Sequence, residues 1–425
     1  MTVMSKQLHR IMTSPILMVV VALSFRLGVM IHLHSYQMGP YMDHFRFGAE
    51  VGRIAQSITS GQGFSSPFHA PTGPTAWVPP VYPYLLAAVF KLFGAYTDAS
   101  ALIILSLNSL FSAMTCSTIF SIGLKTFGPT VAIWAGWIWA VLPSAVYWPT
   151  TMVWESSLST LLLSLIFLLT LHLQRSTNGQ AWLGFGLLWG LVALTSPALL
   201  SLLPFFGGWL CHRLRRRGAT CGRLVGASAL AFVLSVTPWA VRNYLTFGEL
   251  VLIRSNFGLE LHQGNQEGAT GLRMWWLHPS VNGNEMQKYH RMGEVGYMVE
   301  KRREALSFIA EHPRSFALLS LKRVVYFWVG TPHIARLFGF FGRFAEAKRA
   351  FFILSSLFAF WGLYLALHER QTEAFLFASL LFVYPVVYYV THPAERYRHP
   401  IEPEMVLLAV YAVRGTIPRH LPIFH

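Results

Sequence analysis

The sequence has few charged residues, and acidic residues are the scarcer kind. Charged side chains account for 12% of the 425 residues, with 18 acidic against 33 basic, whereas 54% of the residues are hydrophobic. Soluble domains carry about 25% charged residues, so this shortage excludes a soluble globular protein. It predicts an all-α, polytopic transmembrane protein.

Cysteine is the second shortage. Cys116 lies inside an apolar segment, and Cys211 and Cys221 flank an arginine-rich loop. The three match no metal-binding spacing and require no disulfide. The sequence also shows no internal repeat, and nothing in it resembles the duplicated halves of secondary transporters.

The basic excess gives a formal net charge of +15. In a membrane protein such an excess first sets the topology and attracts anionic lipid headgroups. No basic and aromatic segment stands apart as a nucleic-acid-binding module. We therefore expect membrane lipids among the partners and no nucleic acid.

About ten apolar segments approach the roughly 20 residues that a transmembrane helix needs. They lie near 14–36, 99–123, 129–147, 152–173, 181–196, 197–211, 224–242, 350–367, 373–391 and 400–414. The fifth and sixth meet at Pro197 and form either a hairpin or one broken helix. Segment 315–332 carries Lys322 and Arg323 at its centre, and two cations there are costly in a bilayer. We expect an interfacial helix in that segment, with eleven spans as the alternative.

The positive-inside rule orients these segments. If the N-terminus is cytoplasmic, every short basic loop falls on the cytoplasmic side. The first segment then acts as an uncleaved signal anchor, and residues 1–425 form a single membrane domain with two long outer loops, 37–98 and 243–349. The elements expected within the loops are an interfacial helix at 81–94, an ordered loop at 254–283 and a helix at 284–312.

The first outer loop opens with a candidate amphipathic helix. One of its faces is charged and carries Asp43, Arg46, Glu50 and Arg53, beside an apolar stripe. This pattern predicts a helix along the membrane surface. Asp43 and Glu50, with Glu155 at the outer end of the fourth span, are candidate bases for a hydroxyl proton. The alternatives are surface ion pairs and, for Glu155, a charge that favours the helix dipole.

A cationic cluster stands directly before the last span. In THPAERYRHPIEPEM, Arg396 and Arg398 flank Tyr397, and Pro400 suits the first helical position. A helix N-terminus preceded by two arginines is a natural phosphate site; arginines that reach lipid headgroups are the alternative. Weaker candidates of the same kind are Arg242, Lys322 and Arg323, which membrane anchoring explains almost as well.

Carboxylates and cations on the same outer surface imply a reaction between a lipid phosphate and a hydroxyl. A phosphate-linked sugar has a good leaving group, which needs charge stabilisation but no general acid. The protein then has to supply a base for the acceptor and hold both partners in line. Metal is not required by this chemistry, because arginines can compensate the charge, and a role for a divalent ion stays open.

Several runs of the sequence carry a family resemblance. They are EVGRIAQSITSGQGFSSPF, TGPTAWVPPVYPYLLA, LTSPALLSLLP, PWAVRNYLTFG and RYRHPIEP. In this order the chain resembles the GT-C superfamily, and more narrowly bacterial relatives of protein O-mannosyltransferases and of the aminoarabinose transferases that modify lipid A. The resemblance implies an inverting glycosyltransferase of the bacterial inner membrane. It implies a polyprenyl-phosphate sugar donor and a protein, lipid or glycan acceptor, with the active site facing outward.

The resemblance also assigns residues by position. It implies Glu50 as the catalytic carboxylate of the first loop, with Asp43 as a substitute, because Gly48 occupies the place where the family's aspartate often stands. The second acidic residue corresponds to Glu155, and the arginine that compensates the lipid phosphate corresponds to Arg396 or Arg398.

Other functions remain open from the sequence. One is an oligosaccharide ligase or polymerase with a pyrophosphate-linked donor, and relatives of that kind use a divalent ion. Another is a transporter or flippase, for which Arg26 in the first span and the break at Pro197 are the only hints. An accessory subunit without activity is the third.

Overall fold

The computed structural model describes residues 12–37, 47–332 and 342–414, which are 75% helical with no β-strand among them. A single isolated bridge pairs Ser65 with Pro74 in the first loop. The all-α, polytopic class predicted from composition is confirmed.

Seventeen α-helices lie in these described ranges, numbered in chain order. They are α1 Pro15–His32, α2 Glu50–Thr59, α3 Val81–Phe93, α4 Asp98–Thr126, α5 Pro129–Val141, α6 Pro143–Thr151, α7 Ser156–Leu173, α8 Gly179–Ala193, α9 Leu203–Arg215, α10 Gly222–Phe247, α11 Phe257–Gly264, α12 Gly283–Glu311, α13 Pro313–Val329, α14 Gly342–His368, α15 Ala374–Phe382, α16 Val386–Val390 and α17 Glu402–Val413. Short 3-10 turns occupy Pro197–Leu202, Trp275–Leu277, Glu395–Tyr397 and His399–Ile401.

Within the described residues, five helices are long and apolar enough to cross a membrane, namely α1, α4, α7, α10 and the part Glu346–His368 of α14. A sixth span arises if α5 and α6, bent by 42°, are one broken span. Shorter apolar helices include α3, α8 and the stretch Ala374–Val390. The number of spans predicted from the sequence, about ten, therefore stays a prediction.

The segment predicted as one helix at 129–147 is interrupted. Leu142 is extended, with φ −59° and ψ 129°, and Pro143 has no backbone N–H. The break leaves the carbonyls of Trp139 and Ala140 without helical donors, and the Arg26 guanidinium donates to both, at 3.1 and 2.8 Å. Arg26, which is fully buried, thus stabilises the break between α5 and α6.

Contacts at the helix termini define two ends of the bundle. At one end Arg213 and Arg217 donate to Gln174 just after α7, and Arg414 pairs with Glu369. At the other end the Val81 amide donates to the Leu194 carbonyl, just after α8. Helix α8 thus runs away from the arginine-rich end and α9 returns to it. The segment around Pro197 is a hairpin, one of the two arrangements expected from the sequence.

The first outer loop departs from its predicted helix. Gly48 and Ala49 have φ of +76° and +46°, so no regular helix passes through them, and α2 begins at Glu50. The prediction of one charged helical stripe from Asp43 to Arg53 is therefore wrong, and Asp43 itself lies outside the described residues. Arg53 is buried, and its guanidinium meets His69 at 2.6 Å.

The second outer loop contains more helix than expected. The stretch 254–283, predicted to be loop, includes α11 and a 3-10 turn, whereas the helix predicted at 284–312 is confirmed as α12. Segments 81–94 and 315–332 are also helical, as α3 and α13. Gly293, with φ +73°, kinks α12 in its first half.

The kink of α12 places Glu294 where the two outer loops meet. Its carboxylate accepts hydrogen bonds from the Thr75 hydroxyl, the Ala76 amide at 2.7 Å, the Ser255 hydroxyl at 2.7 Å and the Tyr289 hydroxyl at 2.8 Å. Glu294 is buried, and four donors satisfy both carboxylate oxygens. This cluster, the Glu294 junction, fixes the first loop to the second.

Candidate active site

A cleft of about 360 Å³ lies at the end of the bundle opposite the arginine-rich end. Four separated parts of the chain line it: the start of α2 with residues 77–83, residues 154–159 at the start of α7, residues 254–273 of the second loop, and residues 384–400 before α17. Residues 195–198, at the turn of the α8–α9 hairpin, complete its wall. The cleft is therefore built by the outer loops and the helix termini beneath them.

A close backbone contact brings two predicted carboxylates into this cleft. A Cβ atom at Gly48 would lie 2.5 Å from the carbonyl oxygen of Val153, so the two chain segments touch only because residue 48 has no side chain. Two residues beyond each contact point stand Glu50 and Glu155, and both line the cleft. The structure thus brings together the acidic residues singled out from the first loop and the fourth span.

Glu155 stands at the N-cap of α7, but its side chain makes no capping hydrogen bond. A negative charge at this position still favours the helix dipole, which is the alternative expected from the sequence. The carboxylate also acts on Arg396: burial lowers the pKa of the guanidinium, but Tyr397 and Glu155 outweigh this and raise it. Glu155 and Arg396 are thus electrostatic neighbours.

Arg396 is held by aromatic rings. Its guanidinium carbon lies 3.7 Å from the ring centre of Trp154 and 5.1 Å from that of Tyr397, within the range of cation–π interactions. Its Nη1 atom is buried and has no hydrogen-bond partner among the described residues. Arg396 therefore lines the cleft and has one buried guanidinium donor without a partner in the described chain, a property suited to an anionic ligand.

Four ionisable residues of the cleft were missed from the sequence. Arg254, Glu260, Arg273 and His392 all line it. His392 and Glu260 meet at 2.6 Å, and Arg254 lies 3.9 Å from the same carboxylate. Burial alone would raise the pKa of Glu260, but the hydrogen bond from His392 and the charges of Arg273 and Arg254 hold it well below its usual range.

No local sequence signal identified these four residues. Arg254 and Arg273 lie on either side of α11, Glu260 lies on α11 and His392 lies two residues after α16, and only tertiary packing brings them together. Together with Glu50, Glu155 and Arg396, these residues give the cleft wall three arginines and three carboxylates.

Arg398, the other arginine predicted to bind phosphate before the last span, makes its contacts outside the cleft. Arg398, 1% exposed, pairs with Glu402 at 3.2 Å, and His399 meets the other oxygen of that carboxylate at 2.9 Å. Helix α17 begins at Glu402, so Pro400 lies in the preceding 3-10 turn. Arg398 is thus part of a buried ion pair and does not line the cleft.

Arg242, Arg323 and Lys322 also lie outside the cleft. Arg242 donates to the backbone carbonyls of Thr75 and Phe64, at 2.7 and 2.8 Å, and so supports the first loop. Arg323 is buried and caps α16 through the carbonyls of Tyr389 and Val390. Lys322 lines a separate open groove beside α12.

The residues of the cleft do not form a ready metal site. In the three described ranges, no three side chains of histidine, cysteine, aspartate or glutamate converge as metal ligands would. Asp43, a further predicted carboxylate of the first loop, lies outside the described part of the chain.

The chain is similar to known proteins in both sequence and fold. Residues 77–240 match the family model described as dolichyl-phosphate-mannose-protein mannosyltransferase. No curated protein sequence matches the chain significantly.

Solved structures share the fold at low sequence identity. The oligosaccharyltransferase AglB of Archaeoglobus fulgidus, in complex with an inhibitory peptide and a dolichol-phosphate, is 12% identical, with a TM-score of 0.55 over 93% of this chain and 50% of that chain. Its apo form is 13% identical with a TM-score of 0.53 over the same shares. ArnT of Cupriavidus metallidurans bound to undecaprenyl phosphate is 13% identical, with a TM-score of 0.41 over 93% of this chain and 77% of that one.

This chain spans about half the length of the oligosaccharyltransferase. The matched family model belongs to the GT-C superfamily, which the motif order also resembles. Residues 77–240 thus match a family model of the GT-C superfamily, and the chain shares the fold of the archaeal oligosaccharyltransferase, so it is similar to GT-C superfamily membrane glycosyltransferases.

Proposed function

We propose that this protein transfers a sugar, with inversion, from a polyprenyl-phosphate donor to a hydroxyl of a protein, lipid or glycan acceptor. The observation that carries the proposal is that Glu50, Glu155 and Arg396 line one cleft, and that the Nη1 atom of Arg396 has no partner in the described chain. A base and an unsatisfied cation in one cleft are the two groups that such a reaction needs from the protein.

In the proposed reaction the acceptor oxygen attacks the anomeric carbon of the sugar. The bond from that carbon to the phosphate oxygen breaks on the opposite face, and the phosphate leaves with the bonding electron pair. Glu50 takes the proton of the acceptor hydroxyl. Arg396 binds the departing phosphate, whose charge grows as the bond breaks, so the interaction is strongest in the transition state.

Glu155 and Tyr397 have supporting roles in this proposal. Glu155 is an electrostatic neighbour of Arg396, so it orients the guanidinium toward the phosphate, and Tyr397 stacks against the same cation. Asp43 remains a predicted substitute for Glu50 in the part of the first loop outside the described residues. Arg398, Arg242, Arg323 and Lys322 have no part in phosphate binding in this proposal.

We further propose that the arginine-rich end is cytoplasmic and that the cleft opens on the outer face of a bacterial inner membrane. This orientation follows the positive-inside rule. In a single membrane domain with this orientation, residues 37–98 form the catalytic loop and residues 243–349 form the acceptor side.

The test uses purified protein in lipid nanodiscs with synthetic undecaprenyl-phosphate sugars and candidate acceptors, and it measures released undecaprenyl phosphate and glycosylated product. Wild-type protein is expected to release the lipid phosphate. Glu50→Gln is expected to lower the rate by about 10²–10⁴-fold, the usual contribution of a general base, while donor binding persists.

Glu249→Gln is the matched control, because Glu249 is an exposed outer-side carboxylate away from the cleft; it is expected to leave the rate unchanged. Arg396→Gln is expected to weaken donor binding. If Glu50→Gln and Asp43→Asn both keep full turnover, alone and combined, the assignment of the base is wrong. A wild-type protein inactive with every donor and acceptor combination would refute the proposed reaction.

A pyrophosphate-linked donor is the second candidate. Arg254 and Arg273 line the same cleft as Arg396, and their cations suit a second phosphate group. The same assay distinguishes the two donors. Turnover of undecaprenyl-pyrophosphate sugars but not of monophosphate sugars, abolished by Arg273→Gln, would favour this alternative.

A further inference from the structure

His278 lies next to Glu50 but does not itself line the cleft. It follows the 3-10 turn Trp275–Leu277 and is 3% exposed. Its Nε2 atom is 3.4 Å from Oε1 of Glu50. That separation is long for a hydrogen bond, but catalytic hydrogen bonds often tighten only when substrate is bound.

Contacts on the opposite side of the His278 ring determine which of its nitrogens carries the proton. The backbone amide of Ser280 donates to Nδ1 of His278 at 3.2 Å, and the Ser280 hydroxyl is 2.7 Å from the same atom. An amide can donate only to an unprotonated ring nitrogen. The proton of the neutral ring is therefore on Nε2, the atom that faces Glu50.

Aromatic neighbours hold the ring in this orientation. Phe68 and Trp77 pack edge-on against His278, with ring centres 5.6 and 5.4 Å away. The Nε2 atom has no hydrogen-bond partner among the described residues. A buried N–H without a partner is costly, so the Glu50 carboxylate is the natural acceptor for it.

The charges that face His278 come from three elements. They are Glu50 and Arg53 on α2, Glu260 on α11 and Arg273 in the second loop. Burial lowers the pKa of His278, and Glu50 only partly opposes this. The ring is thus neutral near pH 7 and acts as a hydrogen-bond donor without adding a positive charge.

We propose that His278 is a positioning residue that donates a hydrogen bond to Glu50 and so orients the carboxylate for proton transfer from the acceptor. This inference rests on the proposed function. The bond occupies one oxygen of Glu50 and leaves the other free for the acceptor hydroxyl. Because the second outer loop supplies His278 and the first supplies Glu50, correct packing of the loops is what completes the base.

Two substitutions separate this role from a packing role. His278→Phe keeps an aromatic ring among Phe68 and Trp77 but removes the donor. His278→Gln carries an amide N–H near the position of Nε2. The control is His290→Phe, because His290 is an exposed histidine on α12 that does not line the cleft.

The expected result is a split between rate and binding. His278→Phe is expected to lower kcat by about ten- to hundredfold, the usual effect of losing a hydrogen bond that orients a reactive group, with an unchanged KM for the undecaprenyl-phosphate sugar. His278→Gln is expected to recover a large part of kcat, and His290→Phe to match the wild type. In a Glu50→Gln background, His278→Phe is expected to cause no further loss.

Three outcomes would overturn the inference while the proposed function stands. The first is that His278→Phe keeps the full kcat. The second is that His278→Phe lowers kcat but His278→Gln does not restore it. The third is that His278→Phe lowers kcat as much in the Glu50→Gln background as in the wild type. If the wild-type protein transfers no sugar from either donor class, the proposed function fails and this inference with it.

Discussion

Gly48 shows how one residue without a side chain sets the geometry of the cleft. It adopts φ +76°, a conformation that costs other residues about 1–2 kcal/mol, and any Cβ there would collide with Val153. The family resemblance made Gly48 an anomaly, because an aspartate often occupies this place. In this protein the missing side chain allows the contact that brings Glu50 near Glu155.

We expect Gly48→Ala to reduce both stability and transfer. The backbone conformation and the 2.5 Å approach to Val153 act together, so a loss of about 1–3 kcal/mol is expected, and sugar transfer falls because Glu50 moves. Gly63→Ala is the control: φ is +71° there, but nothing lies within 4 Å of the added Cβ. Thermal unfolding and the transfer assay measure both. Equal effects of the two substitutions would contradict the role given to the Val153 contact.

At the scale of residues, the sequence was informative only where motif order or the membrane boundary marked a position. Glu50, Glu155 and Arg396 were found in this way. Arg398, also predicted to bind phosphate, instead pairs with Glu402, and the sequence carried a signal for this because Glu402 stands four residues later, at i, i+4. His278 and the other loop residues had no such signal, because only packing of the two outer loops brings them to Glu50.

Helix boundaries followed proline and glycine closely. Helices α5 and α13 begin at Pro129 and Pro313, as expected for proline in the first turn. The break at Pro143 was overlooked because the apolar run continues through it. Hydropathy measures length and composition, whereas a missing backbone donor interrupts the helix whatever its composition.

The Glu294 junction is the element-scale link between the two outer loops. We expect Glu294→Gln to destabilise the protein by about 1.5–3 kcal/mol, because an amide has only one acceptor oxygen for donors that a charged carboxylate now satisfies. Hydrogen exchange is expected to rise first in residues 64–80.

The control for this substitution is Glu300→Gln, on the same helix α12 and only half-buried. It is expected to change stability little, since exposed carboxylates contribute little. If both variants unfold at the same temperature as the wild type, Glu294 does not fix the loops as described.

Small residues let two helices approach closely. At Gly186 a Cβ would lie 2.1 Å from the carbonyl oxygen of Ser228, and at Gly190 it would meet Ser235 at 2.4 Å. The spacing of these two glycines on α8 is the small-xxx-small pattern of packed membrane helices. The α8–α9 hairpin is thereby anchored to α10, and its turn at 195–198 is held against the cleft.

For the whole molecule, the separation into an arginine-rich end and an end that bears the cleft could be predicted from the sequence. The distribution of charge over short loops suffices for this, because it needs no knowledge of packing. The convergence of the cleft could not be predicted, since five separated parts of the chain meet there. Contacts between segments that are distant in the sequence leave no local sequence pattern from which they could be predicted.

Arg26 has a consequence for how the chain enters the membrane. Its acceptors on other helices lie 86 to 119 residues further along the chain. During synthesis the first helix therefore meets the membrane with an unsatisfied guanidinium near its middle, at a cost of about 2.5–3.5 kcal/mol. Only the later helices α4 to α6 remove that cost.

This order of events predicts opposite effects of one substitution. Arg26→Leu is expected to improve insertion of the first helix tested alone, and to destabilise the complete protein, where the carbonyls of Trp139 and Ala140 lose their donor. Glycosylation-based insertion assays and thermal unfolding measure the two effects. Val20→Leu, at an exposed position of the same helix, is the control; the same sign in both assays for Arg26→Leu would contradict the prediction. The first helix thus enters the bilayer before the segments that stabilise it exist, and its final position depends on helices that are synthesised after it.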